Sequence, residues 1–181
     1  MARDAVLVEA KGLVKEYGEH GAGTRVVDDV SFQIRRGETM GLVGESGSGK
    51  STVARMLLRL VEPTAGTVDY DGVNLLKASS GTMRAMRRRI QIVFQDPFAA
   101  LNPRMRVREI LAEPFRIHGD RSRIDREHLV GMLAEVGLEA SALERFPHEF
   151  SGGQRQRINI ARALALKPEF LVLHEPVSAL D

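Results

Sequence analysis

Eight residues, Gly44-Glu45-Ser46-Gly47-Ser48-Gly49-Lys50-Ser51, constrain this chain more than any other stretch. They follow a short apolar run, Thr39-Met40-Gly41-Leu42-Val43, which reads as a strand. They precede a helical pattern that places Val53, Met56, Leu57 and Leu60 on one face. Glycines at this spacing let successive backbone N–H groups turn toward a single anion, and the start of a helix adds partial positive charge at the same point. Lys50 then reaches the outer phosphates of a bound polyphosphate, and the Ser51 hydroxyl is placed to ligate magnesium. Residues 44–52, ending on Thr52, are the predicted phosphate site.

The rest of the chain alternates strand and helix signals. Val6–Ala10 and Val26–Ile34 read as strands joined by a loop over Gly18–Gly23, and Pro63 and Gly66 stop the helix after the phosphate loop. Thr67–Gly72 reads as a strand entering a turn, and Ile90–Phe94 as a buried strand closed by Asp96-Pro97. Helical patterns cover Val107–Leu111, Asp125–Val136 and Gln154–Leu166, and Phe170–Leu173 returns to strand. This order predicts an α/β fold: a P-loop core with a mostly parallel sheet, an antiparallel N-terminal β part and an inserted helical region. A single domain over 1–181 is expected, with 1–96 and 160–181 as core and 97–159 as helical insertion.

Composition removes several functions. The 181 residues contain no cysteine, which excludes disulfides, thiol catalysis, iron–sulfur clusters and cysteine-ligated zinc within this chain. At 43% hydrophobic residues the chain can support a real core, yet no apolar stretch approaches the length needed to span a bilayer. Net charge is only +2, so an electrostatic nucleic-acid binder is not required. The charge is uneven, however: residues 84–126 hold eleven arginines against five acidic residues, leaving fifteen basic and nineteen acidic residues elsewhere. Arg84, Arg87, Arg88 and Arg89, with few interleaved aromatics, read as a solvated helix face.

A second glycine-marked helix start, Ser151-Gly152-Gly153-Gln154, lies between Phe150 and Arg155-Gln156-Arg157. In isolation it reads as a helix cap. Combined with the phosphate loop, it resembles the signature motif of the ATP-binding-cassette (ABC) ATPases, in which ATP bound on one subunit is contacted by the signature of the other. The resemblance implies that Tyr17 stacks on adenine, that Gln95 is the Q-loop glutamine sensing magnesium and partner, that Glu175 is the catalytic carboxylate and that Ser178-Ala179-Leu180-Asp181 is the D-loop. Phe94–Met105, Pro147–Phe150 and Glu175–Ser178 are similar to the oligopeptide/dipeptide importer branch, which takes up peptides and sometimes nickel or glutathione. That branch implies ATP and Mg²⁺ as cofactors and a second ATP-binding subunit, identical or not. It also implies membrane-spanning permeases docked near Gln95 and residues 97–120, indirectly a substrate-binding protein, and a place on the cytoplasmic face of the cell membrane. DNA-repair and chromosome ATPases share these motifs, but carry a long coiled-coil insertion or cysteine-bound zinc that this sequence lacks; no nucleic-acid partner is expected. His148 is expected to be structural.

One position departs from the family. Where the family has an aspartate ahead of the catalytic glutamate, this chain has His174, and a neutral imidazole gives magnesium neither an oxygen ligand nor a negative charge. The family's switch histidine, some thirty residues beyond the D-loop, is also not among the 181 residues. The resemblance thus carries an alternative: a truncated or hydrolysis-impaired cassette that binds ATP without powering transport, with strand edges left exposed.

Overall fold

The computed structural model describes residues 5–18, 23–94 and 96–174. They fall into two compact units, Met1–Arg84 and Ala85–Asp181.

In the first unit, strands β1 (Val6–Tyr17) and β2 (Thr24–Arg35) form a long antiparallel hairpin, and β3 (Ala65–Tyr70) and β4 (Val73–Asn74) extend it into a four-stranded sheet of order β2-β1-β3-β4. β1 buries Leu7, Val8, Ala10 and Leu13, and β3 buries Val68 and Tyr70, the adjacent Leu7 and Val8 showing that both faces of the sheet are covered there. Pairing kinks where β1 passes Gly12, which has φ 57. Between β2 and β3 lies helix α1 (Lys50–Leu57), whose Val53, Met56 and Leu57 are buried.

Two sequence expectations fail here. Residues 39–43 form no strand, and Met40, Leu42 and Val43 are 44%, 49% and 93% exposed. A strand exists only against a neighbour, and among the described residues no strand pairs with this run. Leu60 does not extend the buried stripe of α1: the helix stops at a cap on Leu58, Arg59 turns with φ 49, and Leu60 is 49% exposed.

Helix α2 (Ser80–Arg89) leads into the second unit. There β5 (Ile90–Val93) pairs in parallel with β6 (Phe170–Leu173), in register from Ile90↔Phe170 to Val93↔Leu173. This pair is the whole of the parallel sheet among the described residues. Around it lie α3 (Pro97–Ala100), α4 (Val107–Ile117), α5 (Arg126–Glu135) and α6 (Gly152–Leu164), with short 3₁₀ turns at Arg121–Arg123, Ala140–Glu144 and Pro147–Glu149. Their core gathers Val107, Ile110, Leu111, Phe115, Leu133, Leu143 and Ile158, all essentially fully buried. Asp125 caps α5, its carboxylate accepting the His128 N–H at 2.9 Å.

Arg84 and Arg87 of the arginine run are exposed, as expected of a solvated face, but Arg88 and Arg89 are half-buried and paired. The Arg89 guanidinium grips both carboxylate oxygens of Glu169 at 2.7 and 2.9 Å, and Arg88 reaches Asp120 at 3.5 Å. A planar fork suits this bidentate geometry, so Arg89 clamps the end of α2 to the residue just before β6. His148 stacks on Phe146, ring centroids 5.7 Å apart, in keeping with a structural role.

Phe115 is fully buried at the centre of the helical core. Phe115→Ala is expected to lower unfolding stability by about 3–5 kcal/mol, read from urea denaturation. An unchanged midpoint would mean that this core does not hold the unit together.

Candidate functional site

The phosphate loop runs over residues 44–49 into α1, and its shape depends on two left-handed glycines. Gly47 has φ 83, and Gly49, the N-cap of α1, has φ 89. That region costs an L-residue energy, which glycine escapes. Gly49 is constrained a second time, since a Cβ there would lie 2.5 Å from the Val26 carbonyl oxygen of β2. The loop is thus pressed against the sheet at one point. The Ser48 N–H closes a turn on the Glu45 carbonyl at 3.2 Å, and the Val53 N–H starts the helix on the Gly49 carbonyl at 2.9 Å.

Lys50 folds back over this turn. Its ammonium donates to the carbonyls of Gly44 at 2.7 Å and Glu45 at 2.6 Å, and lies 3.4 Å from Ser48 Oγ. Three donors thus meet three loop oxygens, and phosphate oxygens would have to compete for the same positions. Ser51 and Thr52 follow in the first turn of α1, half-buried. Glu45, Ser46 and Ser48 are exposed along the rim. Tyr17 ends β1 in the same unit with 46% of its surface exposed.

The signature residues lie in the second unit. Ser151 caps α6 through a reciprocal box: its hydroxyl accepts the Gln154 N–H at 3.3 Å, and the Gln154 side chain accepts the Ser151 N–H at 3.1 Å. Gly152 and Gly153 form the first turn. Because Ser151 Oγ accepts in this box, its own O–H is left to donate elsewhere.

Further along α6 is a polar face that sequence patterning missed. Gln156 and Asn159 are completely buried, and Arg162 follows one turn on. Asn159 Nδ2 donates to the Phe94 carbonyl at 3.4 Å, Arg162 donates to the Ala100 carbonyl at 2.8 Å, and Arg162 also reaches Asn159 Oδ1 at 3.2 Å. Burial pulls the Arg162 guanidinium below its ordinary pKa, with Glu113 partly opposing. Neither amide atom of Gln156 meets a partner among the described residues. The signal was present as three polar residues spaced at i, i+3 and i+6 on a helix, but periodicity alone reads polar as outward. These side chains tie the signature helix to the backbone on both sides of Gln95.

Gln95, Glu175 and Asp181 lie outside the described residues. His174 continues the β5–β6 ladder, its N–H donating to the Val93 carbonyl at 3.0 Å. Among the described residues no cluster of three or more His, Asp or Glu could hold a metal ion. The glycine cradle and Lys50 fit a polyphosphate well; the His174 position does not fit a magnesium ligand.

This chain belongs to the ABC transporter family, whose sequence profile matches residues 27–178. A putative peptide import ATP-binding protein of Brucella ovis is 52% identical over 176 residues, covering 97% of this chain and 56% of its own length. The putative oligopeptide transport ATP-binding protein YkfD of Bacillus subtilis is 57% identical over 159 residues, covering 87% of this chain and 48% of its own. The chain thus spans about half the length of the curated relatives it matches. Its fold is that of an ABC ATPase cassette: it superposes on the dimeric post-hydrolysis state of the ATP-binding cassette MJ0796, bound to ADP and Pi, with a TM-score of 0.83. Identity there is 29%, over 97% of this chain and 76% of that one.

The two loop glycines are expected to differ in tolerance. Gly47→Ala meets open space and pays only for its positive φ, about 1 kcal/mol, whereas Gly49→Ala adds a clash with the Val26 carbonyl and is expected to cost roughly 1–3 kcal/mol in total. Thermal unfolding of both variants tests this, and equal midpoints would show that the loop is not pressed against β2.

Proposed function

We propose that this chain is the ATP-binding subunit of an ABC importer of the di- or oligopeptide type, coupling ATP binding and hydrolysis to uptake. The observation that carries the reading is the left-handed Gly47–Gly49 turn with Lys50 folded over it at a helix start, an arrangement suited to a polyphosphate, in which Gly49 has no room for a side chain. In this reading residues 44–52 hold the triphosphate and Tyr17 carries the adenine. Ser51 and Gln95 hold Mg²⁺, which would neutralise charge on the transferred phosphoryl group. Ser151, Gly152, Gly153 and Gln154 meet the γ-phosphate held by a second ATP-binding subunit, with Asp181 lining the same junction. Glu175 orients or activates the attacking water.

The relatives' names as peptide and oligopeptide transport proteins support the substrate class, and the dimeric cassette with ADP and Pi supports both nucleotide and pairing. Residues 1–96 with 160–181 serve as nucleotide core and 97–159 as the signature part, in a single ABC ATPase domain. Membrane-spanning permeases dock near 97–120 and hold the subunit on the cytoplasmic face of the membrane, a substrate-binding protein acting through them. No helix among the described residues is long and apolar enough to cross a membrane. Arg106 and Arg108 would not provide a free basic patch for that docking. Arg106 donates to the Glu144 carbonyl and lies over the Phe146 ring at 4.9 Å, and Arg108 pairs with the Glu144 carboxylate at 3.1 Å.

His174 favours a second reading, a cassette that binds ATP but hydrolyses it poorly. Its imidazole offers nitrogen where magnesium prefers oxygen.

Two measurements test the phosphate site that both readings share and the metal position on which they differ. Lys50→Ala is expected to abolish ATP binding by calorimetry, and unchanged affinity would remove the phosphate-loop assignment. His174→Asp is expected to raise the ratio of ATP affinities with and without magnesium, because the metal gains an anionic ligand. An unchanged ratio would show that the metal is held without that position.

A further inference from the structure

Lys15 lies outside every motif described above, yet it touches the residue to which the nucleotide reading assigns the base. Lys15 and Tyr17 are two residues apart on β1, a spacing that puts both side chains on one face of a strand. The Lys15 ammonium sits 5.0 Å from the centroid of the Tyr17 ring, inside the range where a cation is attracted to the electron-rich face. The same ammonium donates to the Glu62 carbonyl at 2.9 Å, so its position is fixed from a second side.

Glu62 belongs to the turn that leaves α1, and this turn is stapled to β1 at two more points. The Thr64 N–H donates to the Val14 carbonyl at 2.7 Å, and the Glu16 N–H donates to Thr64 Oγ1 at 3.0 Å. The helix that begins at the phosphate loop therefore ends on the strand segment that carries Tyr17. Lys15 links this staple to the ring.

We propose that Lys15 is a positioning residue of the nucleotide site, backing one face of the Tyr17 ring so that the exposed face is held ready for a purine base. The proposal rests on the nucleotide reading above and deepens it. Two effects follow from the geometry. An exposed tyrosine loses ring freedom when a base stacks on it, and a ring already held by Lys15 loses less. The cation also draws ring electron density toward its own face, which lessens repulsion between the π-cloud on the other face and that of the base.

The test uses the absence of tryptophan: the chain has two tyrosines, Tyr17 exposed and Tyr70 fully buried, so base stacking is read as quenching of the Tyr17 part of the emission. Lys15→Met keeps the stem and removes the charge. It is expected to weaken ATP binding by about three- to tenfold and to reduce the quenching, while leaving the affinity for inorganic tripolyphosphate unchanged. Lys15→Arg is expected to restore both signals. In a Tyr17→Leu background the Lys15→Met change is expected to have no effect. The proposal is overturned if ATP affinity is unchanged, if ATP and tripolyphosphate weaken equally, or if the full loss persists without the Tyr17 ring. If the unmodified chain binds neither ligand, or Lys50→Ala binds both normally, the nucleotide reading itself fails; failure confined to the Lys15 variants removes only this inference.

Discussion

The phosphate loop is set by one close approach, the backbone of Gly49 against the Val26 carbonyl of β2. A phosphate loop must present several N–H groups to one point, which demands a left-handed turn, and a turn of that shape has little to hold it in place unless something rigid lies behind it. The long β1–β2 hairpin supplies the backing. From this contact α1 leaves with its first N–H groups directed at the loop, and the turn after α1 returns to β1 through Thr64 and Lys15. Loop, helix and the strand bearing Tyr17 thus form one closed circuit, which in the proposed function would set the positions of phosphate and base together.

The second unit solves a similar problem by different means. There the helix start is held by side chains, through the reciprocal cap of Ser151 and Gln154, a pairing whose loss in other helices costs about 0.5–2 kcal/mol. The polar face of α6 then grips the backbone at Phe94 and Ala100, so any force that moved that segment would be felt at Ser151 through a rigid helix of 13 residues. The fully buried Gln156 amide, on the same helix, meets no partner among the described residues. Such a group costs about 1–3 kcal/mol unless water or a neighbour beyond the described residues meets it.

Legibility from sequence followed the range of the interactions. The phosphate loop and the α6 cap were readable because their chemistry is local, glycines and a lysine in seven positions and a serine three residues before a glutamine. Phe170–Leu173 was readable to the residue, being a short apolar run between a Pro-containing turn and His174. Residues 39–43 misled because an apolar run reports a wish for burial and carries no information about the strand that must lie alongside. Arg88 and Arg89 misled for the same reason: their partners Asp120 and Glu169 lie 32 and 80 residues away, and spacing along one helix does not contain them. Asn159 and Arg162 were hidden because their polarity is met by carbonyls, which every residue has, and Gln156 because helical spacing reads a polar residue as outward. Gln95, Glu175 and Asp181, read from family resemblance, lie outside the described residues.

The central claim is that one loop, pressed on the hairpin, gathers the phosphates of a nucleotide whose base rests on Tyr17. Amide-resolved nuclear magnetic resonance, with a non-hydrolysable ATP analogue titrated into the isotope-labelled chain, addresses this directly. The account predicts the largest shifts at the amides of Gly47, Gly49, Lys50 and Ser51, with a second cluster at Tyr17 and its cross-strand neighbour Thr24. Saturable shifts centred elsewhere, with the loop amides unmoved, would contradict it.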